Sequence, residues 1–253
     1  MGRSAPRPGE LRELAGSGGA HGGASGAFGR GGRVKLTWKG EALELRPERV
    51  LHWPRERTLF LADLHLGKAA LFRDRGLAVP DGAEADDLAR LRRVAHLTGA
   101  RRLVILGDLV HGAGGWTPEV VEAFAALGAG QRGSPEQGEA ERLRVWLVPG
   151  NHDRPDGPPP AELGIERVEE GMRLGPFRLR HADDGTRDGV ICGHEHPVVV
   201  LRGRGDRLRM PCFVVDERRL LLPAFGTFTG GQRVRRSGGR RIFGVGEGSV
   251  LAI

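Results

Sequence analysis

Short apolar runs recur along the chain, and four of them stop abruptly in acidic, amide or imidazole side chains: FLADLH at Phe60 to His65, VILGDL at Val104 to Leu109, VWLVPGNHD at Val145 to Asp153, and ICGHEH at Ile191 to His196. A continuous apolar run bounded by turn residues reads as a strand buried on both faces. In α/β folds such strands deliver their last residues to the carboxyl edge of the sheet, where the chemistry is placed. Between the first two runs, Leu88, Leu91, Val94 and Ala95 recur at helical spacing within Glu84 to Leu97, which predicts a crossover helix between parallel strands. A second helix is predicted over Pro118 to Leu127, with Thr117 as its N-cap. Leu64 to Pro80, which contains GKAALFRDRG, reads as a polar loop beside Asp63 and His65. Upstream, VKLTWKG and EALELRPERVLHWP alternate well enough to predict two strands around the turn at Lys39 to Glu41, a hairpin flanking the first core strand. Downstream the pattern is strand-rich, with runs at Phe177 to Arg180, Gly189 to Cys192, Val198 to Leu201, Leu208 to Val215 and Leu220 to Pro223. A βαβ half followed by a mostly β half gives an α/β protein whose two halves meet in one cleft.

The first 32 residues are mostly Gly, Ala, Ser, Pro and Arg with no apolar block, so residues 1–32 read as a disordered extension and residues 33–253 as one domain. Gly128 to Glu139 has the composition of a surface insertion. Nothing approaches a membrane span or a signal peptide. Cys192 and Cys212 both sit in strand-like segments and read as reduced core residues of a cytoplasmic protein. The net charge is +7, and its distribution is uneven. Leu201 to Arg241 holds 11 arginines against 3 acids, leaving 28 bases and 29 acids for all other residues. A concentrated arginine stretch suits a polyanion, of which nucleic acid is the commonest; an arginine-rich composition throughout is the alternative reading.

The residues at the strand ends carry the chemistry. Asn151 offers a neutral oxygen, His152 an imidazole that can donate a proton, and Asp153 a carboxylate to orient that imidazole. Asp63 and His65 are two apart and would share one face of an extended strand, as would His194 and His196. Four segments that each end in potential metal ligands describe one convergent site, and its most natural occupant is a pair of metal ions. No serine or cysteine has the setting of a nucleophile, which leaves direct attack by water.

DLHLG at Asp63 to Gly67, GDLVHG at Gly107 to Gly112, GNHD at Gly150 to Asp153, the isolated His181, and GHEH at Gly193 to His196 together resemble the calcineurin-like metallophosphoesterase superfamily. GKAALFRDRGLAVPDG at Gly67 to Gly82 and LPAFGTFTGG at Leu222 to Gly231 are similar to one branch of it, the ligase-associated DNA damage response endonucleases (PdeM). The resemblance implies a four-layer α/β/β/α sandwich. It also implies that Asp63, His65 and His196 hold one metal, that Asn151, His181 and His194 hold a second, and that Asp108 bridges them, with Asp183 or Asp184 as fallback to His181. Ligands of this mixture without thiolate favour manganese first, then iron, zinc or cobalt, over magnesium. By the same resemblance the activity is hydrolysis of phosphodiesters in DNA, beside a DNA ligase, a helicase and an exonuclease, with His152 at the leaving group; the alternatives are a phosphoesterase acting on a small nucleotide or cyclic nucleotide, and a non-catalytic DNA-binding scaffold subunit. Protein Ser/Thr phosphatases carry Asp and Arg after their GD, where this chain has Leu109, Val110 and His111. Lys68, Arg73 and Arg75 are candidates to contact the phosphodiester, or form a solvated loop, and Trp116 is a candidate to line the cleft. His111 either faces the metals or caps a turn.

Overall fold

The computed structural model describes residues 32–78, 82–111, 115–129, 143–153, 157–203 and 205–253. The Gly-rich start up to residue 31, and nearly all of the insertion expected after Gly128, lie outside the described residues.

The first half of the chain forms β1 (Val34–Trp38), β2 (Glu41–Leu45), β3 (Leu51–Trp53), β4 (Thr58–Leu61), α1 (Lys68–Asp74), α2 (Ala83–Thr98), β5 (Arg102–Leu106), α3 (Pro118–Ala129), β6 (Arg144–Val148) and β7 (Ile165–Arg167). These seven strands make one sheet in sequence order, antiparallel from β1 to β4 and parallel from β4 to β7. Alternation along its central strands divides the core in two. Leu59, Leu61, Leu103, Ile105, Val145 and Leu147 pack against Leu88, Leu91 and Val94 of α2 and Val120, Phe124 and Leu127 of α3. Their neighbours Phe60, Val104, Leu106 and Val148 face the other way, into the interface between the two sheets. A strand covered on both faces has no polar side, which is why these runs are continuously apolar.

The second half supplies β8 (Arg173–Leu174), β9 (Phe177–Leu179), β10 (Val190–Cys192), β11 (Pro197–Arg202), β12 (Arg207–Val215), β13 (Arg219–Leu221), β14 (Gln232–Arg233), β15 (Arg241–Gly246) and β16 (Ser249–Ala252). The second sheet runs β14-β11-β12-β13-β10-β9-β8, with β15 on β12 and β16 on β15. Its inner face gives Phe177, Leu179, Ile191, Phe213 and Leu220 to the inter-sheet core. Phe177 is the hub of that core, stacked on Trp38 at 5.6 Å and meeting Trp53 edge-on at 4.9 Å and Phe60 at 6.4 Å. Pairs of this kind contribute about 0.5–1.5 kcal/mol each beyond area burial.

Three features differ from the sequence reading. The loop expected at Leu64 to Pro80 contains α1, because Lys68, Ala69, Ala70, Leu71 and Arg73 are strong helix formers whose charges disguise the helix. The long segment EALELRPERVLHWP is two strands, split where the Arg46 and Arg49 amides donate to Val50 O and Arg46 O in a turn. A helical layer outside the second sheet is absent among the described residues, since no helix follows the short turn at Ala161–Leu163. That face is instead closed by its own small apolar cluster, among it Cys192, Met210, Cys212 and Ile242, with Leu201, Val234 and Ile253 packed on it. The α/β frame of two stacked sheets with helices on the first is as the sequence predicts.

Candidate metal centre

The parallel strands end level, with Leu61 beside Ile105 and Leu106 beside Val148, so the loops after β4, β5 and β6 emerge together. These loops are bonded backbone to backbone. The amides of Asp63, His65 and Leu66 donate to Gly107 O, Asp108 O and Leu109 O, and His111 N–H donates to Leu66 O. The second sheet joins at the same level: the amides of Phe225 and Gly226 donate to Ala62 O and Asp63 O, and that of Gly193 to His181 O. Hence segments far apart in sequence share one rim.

At that rim the expected extended geometry gives way to something tighter. Asp63, His65, Asp108, His194 and His196 all have positive φ, at 57°, 52°, 51°, 69° and 46°. Left-handed backbone disfavours residues with a Cβ, although Asp and His tolerate it better than most. Five such residues side by side mark a site where neighbouring structure holds the strain, as functional sites commonly do. The glycines of the motifs make the approach possible. A Cβ on Gly107 would strike the His181 ring, and one on Gly150 would strike the Asp108 carboxylate.

The side chains converge in three groups, Asp63/His65/His196, Asp108/His181/His194 and His65/His111/His152, each with its potential ligating atoms within 4.8 Å of one another. In the first, His196 Nε2 lies 3.4 Å from Asp63 Oδ1 and His65 Nε2 3.3 Å from His196 Nε2. In the second, His181 Nδ1 donates to Leu106 O at 3.0 Å, which leaves Nε2 as a lone pair. That lone pair faces Asn151 Oδ1 at 3.0 Å and Asp108 Oδ2 at 3.5 Å, with His194 Nδ1 at 2.9 Å. Asp108 Oδ2 is also 3.8 Å from His65 Nε2. Lone pairs and carboxylate oxygens gathered this closely repel one another unless a cation lies among them, so the donor set fits divalent metal. All seven residues expected as ligands are brought to this rim.

The environment keeps His65 neutral. Burial, then the positive field of Lys68 and the adjacent imidazoles, push its pKa down to about 2. His111 is pushed down to about 4 by burial first and then by His152 and Lys68. Burial lowers the Lys68 pKa as well, opposed by Asp108 and Asp63, which places its ammonium near both carboxylates. Arg75 is exposed on the turn after α1, close enough to act on His111, and Arg73 is exposed on α1 itself. Trp116 differs from its expected position: it packs against the helix-side core, with its Nε1 buried and unpaired among the described residues.

Two further corrections concern the GNHD segment and its surroundings. The Asp153 carboxylate does not orient the His152 ring. Its Oδ1 accepts the amides of Leu109 at 2.8 Å and Val110 at 3.2 Å, and its Oδ2 accepts Gly150 N–H at 2.8 Å, so it ties the β6 loop to the β5 loop. Burial raises its pKa against those amides. Asp183 and Asp184 are engaged elsewhere, the former by Arg218 and Arg219, the latter by Thr186 and Arg180, so neither replaces His181. His152 is held by its own backbone, donating its amide to Asp108 Oδ1 at 3.0 Å. Its ring stacks on His111 at 4.4 Å and meets His65 at 5.2 Å, while His111 Nδ1 lies 3.1 Å from His65 Nδ1. His111 thus belongs to the site, and the sequence left its two readings open because nothing in GDLVH sets the direction of its side chain.

A frame of two stacked sheets with Asp, Asn and His converging from their loops defines a metal-dependent phosphoester hydrolase. Residues 56–196 match the profile of the Calcineurin-like phosphoesterase family, and the chain belongs to that family. Among solved structures it is similar to the nuclease MPE of Pseudomonas putida, with 38% identity and a TM-score of 0.71 over 87% of this chain and 100% of that one. No curated protein matches the chain. The chain is a metal-dependent phosphoesterase. No helix among the described residues is long and apolar enough to cross a membrane.

Proposed function

We propose that the protein is a binuclear metal phosphodiesterase that cleaves nucleic acid, with DNA as its first substrate. The observation that carries the binuclear reading is the shared carboxylate: Asp108 Oδ2 lies within 3.8 Å of His65 Nε2 and 3.5 Å of His181 Nε2, between the two ligand groups. In this reading Asp63, His65 and His196 would hold one ion, Asn151, His181 and His194 the other, and Asp108 would contribute to both. Such ions, manganese first with iron, zinc or cobalt as alternatives, supply an activated water and neutralise the phosphate oxygens.

The protein supplies the rest. His152, stacked on His111 and fixed through its amide to Asp108, donates a proton to the departing oxygen or stabilises its charge. Lys68, near both Asp63 and Asp108, faces the same phosphate, and Arg75 extends that positive side outward. Asp153 positions the Asp108 loop through the Leu109 and Val110 amides and is itself held by the Gly150 amide of its own loop.

Three observations support nucleic acid as substrate. The similar Pseudomonas putida structure is a nuclease. β11 leaves directly from His196, and the exposed Arg202, Arg207, Arg209 and Arg233 lie on it and on the strands paired with it. Asn151 and His194 are exposed at the rim, above the buried Asp63, His65, Asp108 and His181, so an extended strand can reach that side of the site. A role in DNA repair alongside ligase, helicase and exonuclease rests on the resemblance of the Gly67 to Gly82 and Leu222 to Gly231 segments. A cytoplasmic setting is supported by the two buried, unpaired cysteines.

The test is a side-by-side assay with manganese of single-stranded DNA, nicked duplex, RNA, cyclic nucleotides and phosphomonoesters, with Asp108→Asn as blank. The reading expects cleavage of DNA and binding that weakens steeply with salt, by roughly 0.9 log units per phosphate contact on duplex. Turnover confined to small phosphoesters, or DNA binding without hydrolysis, would overturn it.

A further inference from the structure

The segment LPAFGTFTGG does more than pack. Beside His196 it walls a pocket of about 160 Å³ lined by Arg49, Arg209, Thr227, Thr229 and Gly230, with no acidic residue in its lining. Its volume is well below the roughly 300–1,000 Å³ of sites that enclose a whole small molecule, and suits a single tetrahedral anion.

The walls are fixed from several directions. Asp87 of α2 accepts the Thr227 amide at 2.8 Å and its hydroxyl at 2.6 Å, and Arg90 holds both Asp87 at 2.8 Å and Phe225 O at 2.6 Å. The Thr229 hydroxyl donates to Gly226 O, and the Gln232 amide to His196 O, so the loop is anchored to the metal rim itself. Asp87 is thereby taken up by the loop and by Arg90. The two cations of the pocket keep donors in reserve. Arg49 touches Ala224 O, Phe225 O and Gly226 O only through Nη1, at 3.4–3.5 Å, the long end of hydrogen bonding. Arg209 donates to Gly231 O through Nη2 at 2.6 Å and is otherwise exposed. A guanidinium has five N–H donors in a planar fork, a geometry matched to phosphate.

The pocket shares His196 with the Asp63/His65/His196 group, whereas Lys68 is felt by Asp63 and Asp108. A strand whose scissile phosphate lay at Asp63, His65 and His196 would therefore have a neighbouring phosphate within reach of the pocket. We infer that the Arg49/Arg209 pocket binds the phosphate next to the scissile one, and so makes the enzyme prefer a nucleic-acid strand over an isolated phosphodiester. This rests on the nucleic-acid reading above.

The test compares kcat/KM for a thymidine dinucleotide with that for the same dinucleotide bearing a 5′- or a 3′-terminal phosphate, and repeats the set with uridine dinucleotides. In the wild-type protein one terminal phosphate should raise kcat/KM by about tenfold, the 1.4 kcal/mol at the low end of a charge-assisted hydrogen bond. In Arg209→Gln that advantage should fall close to unity, and Arg209→Lys should restore part of it. A merely structural role for the Arg209 bond to Gly231 would lower all substrates together and leave the ratio intact, which overturns the proposal. So does a wild-type enzyme that cleaves dinucleotides without preferring a terminal phosphate, and that result spares the nucleic-acid reading. Hydrolysis of bis-p-nitrophenyl phosphate with no dinucleotide cleaved would overturn both.

Discussion

Asp153→Asn separates an organising role for the GNHD carboxylate from a role in orienting His152. Aspartate accepts three backbone amides with its two oxygens, at 2.8, 3.2 and 2.8 Å. Asparagine keeps one oxygen, which can serve the Leu109 and Val110 amides, and turns an NH2 group toward the Gly150 N–H. One buried donor is then unsatisfied, at about 1–3 kcal/mol, and two charge-assisted bonds become neutral, at about 1 kcal/mol each. Relief of the buried charge, whose pKa is raised by burial, offsets part of this. A net loss of about 2–4 kcal/mol in the apoprotein follows, read as a lower urea midpoint at pH 7. The same bonds join the loops carrying Asp108 and Asn151, so titration calorimetry should show weaker manganese binding. Because the folded-state pKa is raised, the wild-type carboxylate withdraws stability as pH rises above its ordinary value near 3.8, and Asn removes that trend. Unchanged stability and metal affinity with a loss confined to kcat would refute the reasoning and return Asp153 to the His152 ring.

His152→Ala should keep its metals and lose kcat, with a smaller loss for substrates whose leaving groups need little protonation; equal losses across leaving groups of very different acidity would contradict the assigned role. His52 is buried against Glu44 at 3.1 Å with its Nε2 unpaired among the described residues, and burial lowers its pKa despite Glu44. The unfolded chain therefore binds the proton first as pH falls below about 6.5, and stability should drop by at most about 1.4 kcal/mol per pH unit. In His52→Gln that component disappears, so parallel wild-type and variant curves between pH 7 and 5 would rule it out.

Most of the candidate ligands were legible because they follow apolar strands that need no tertiary information to be recognised, whereas His181 was named only through the family resemblance. Asp63, Asp108, Asn151 and His194 are announced by the runs before them. Their geometry was not: a two-residue spacing reads as an extended strand, whereas Asp63, His65, His194 and His196 lie in left-handed turns that only packing against neighbouring loops can hold. Asp153 was misread for a related reason. Adjacency to His152 pointed to its ring, but the amides it accepts belong to Leu109 and Val110 from another strand. α1 was hidden by its charges, and Trp116 by its place in a Gly-rich loop that gives no hint of which core it meets. The pocket beside His196 left no trace in the sequence, because it joins residues of the Leu222 to Gly231 segment to Arg49 and Arg209, which no local pattern links to it.

The central claim is that two metal ions share Asp108, and metal content measured together with turnover tests it most directly. Wild-type protein reconstituted with manganese should hold about two ions per chain and hydrolyse bis-p-nitrophenyl phosphate, while Asp108→Asn should lose metal and nearly all hydrolysis together. Fewer than about one tightly bound ion with no hydrolysis in the wild type, or an Asp108→Asn protein that keeps both ions and its turnover, would contradict it.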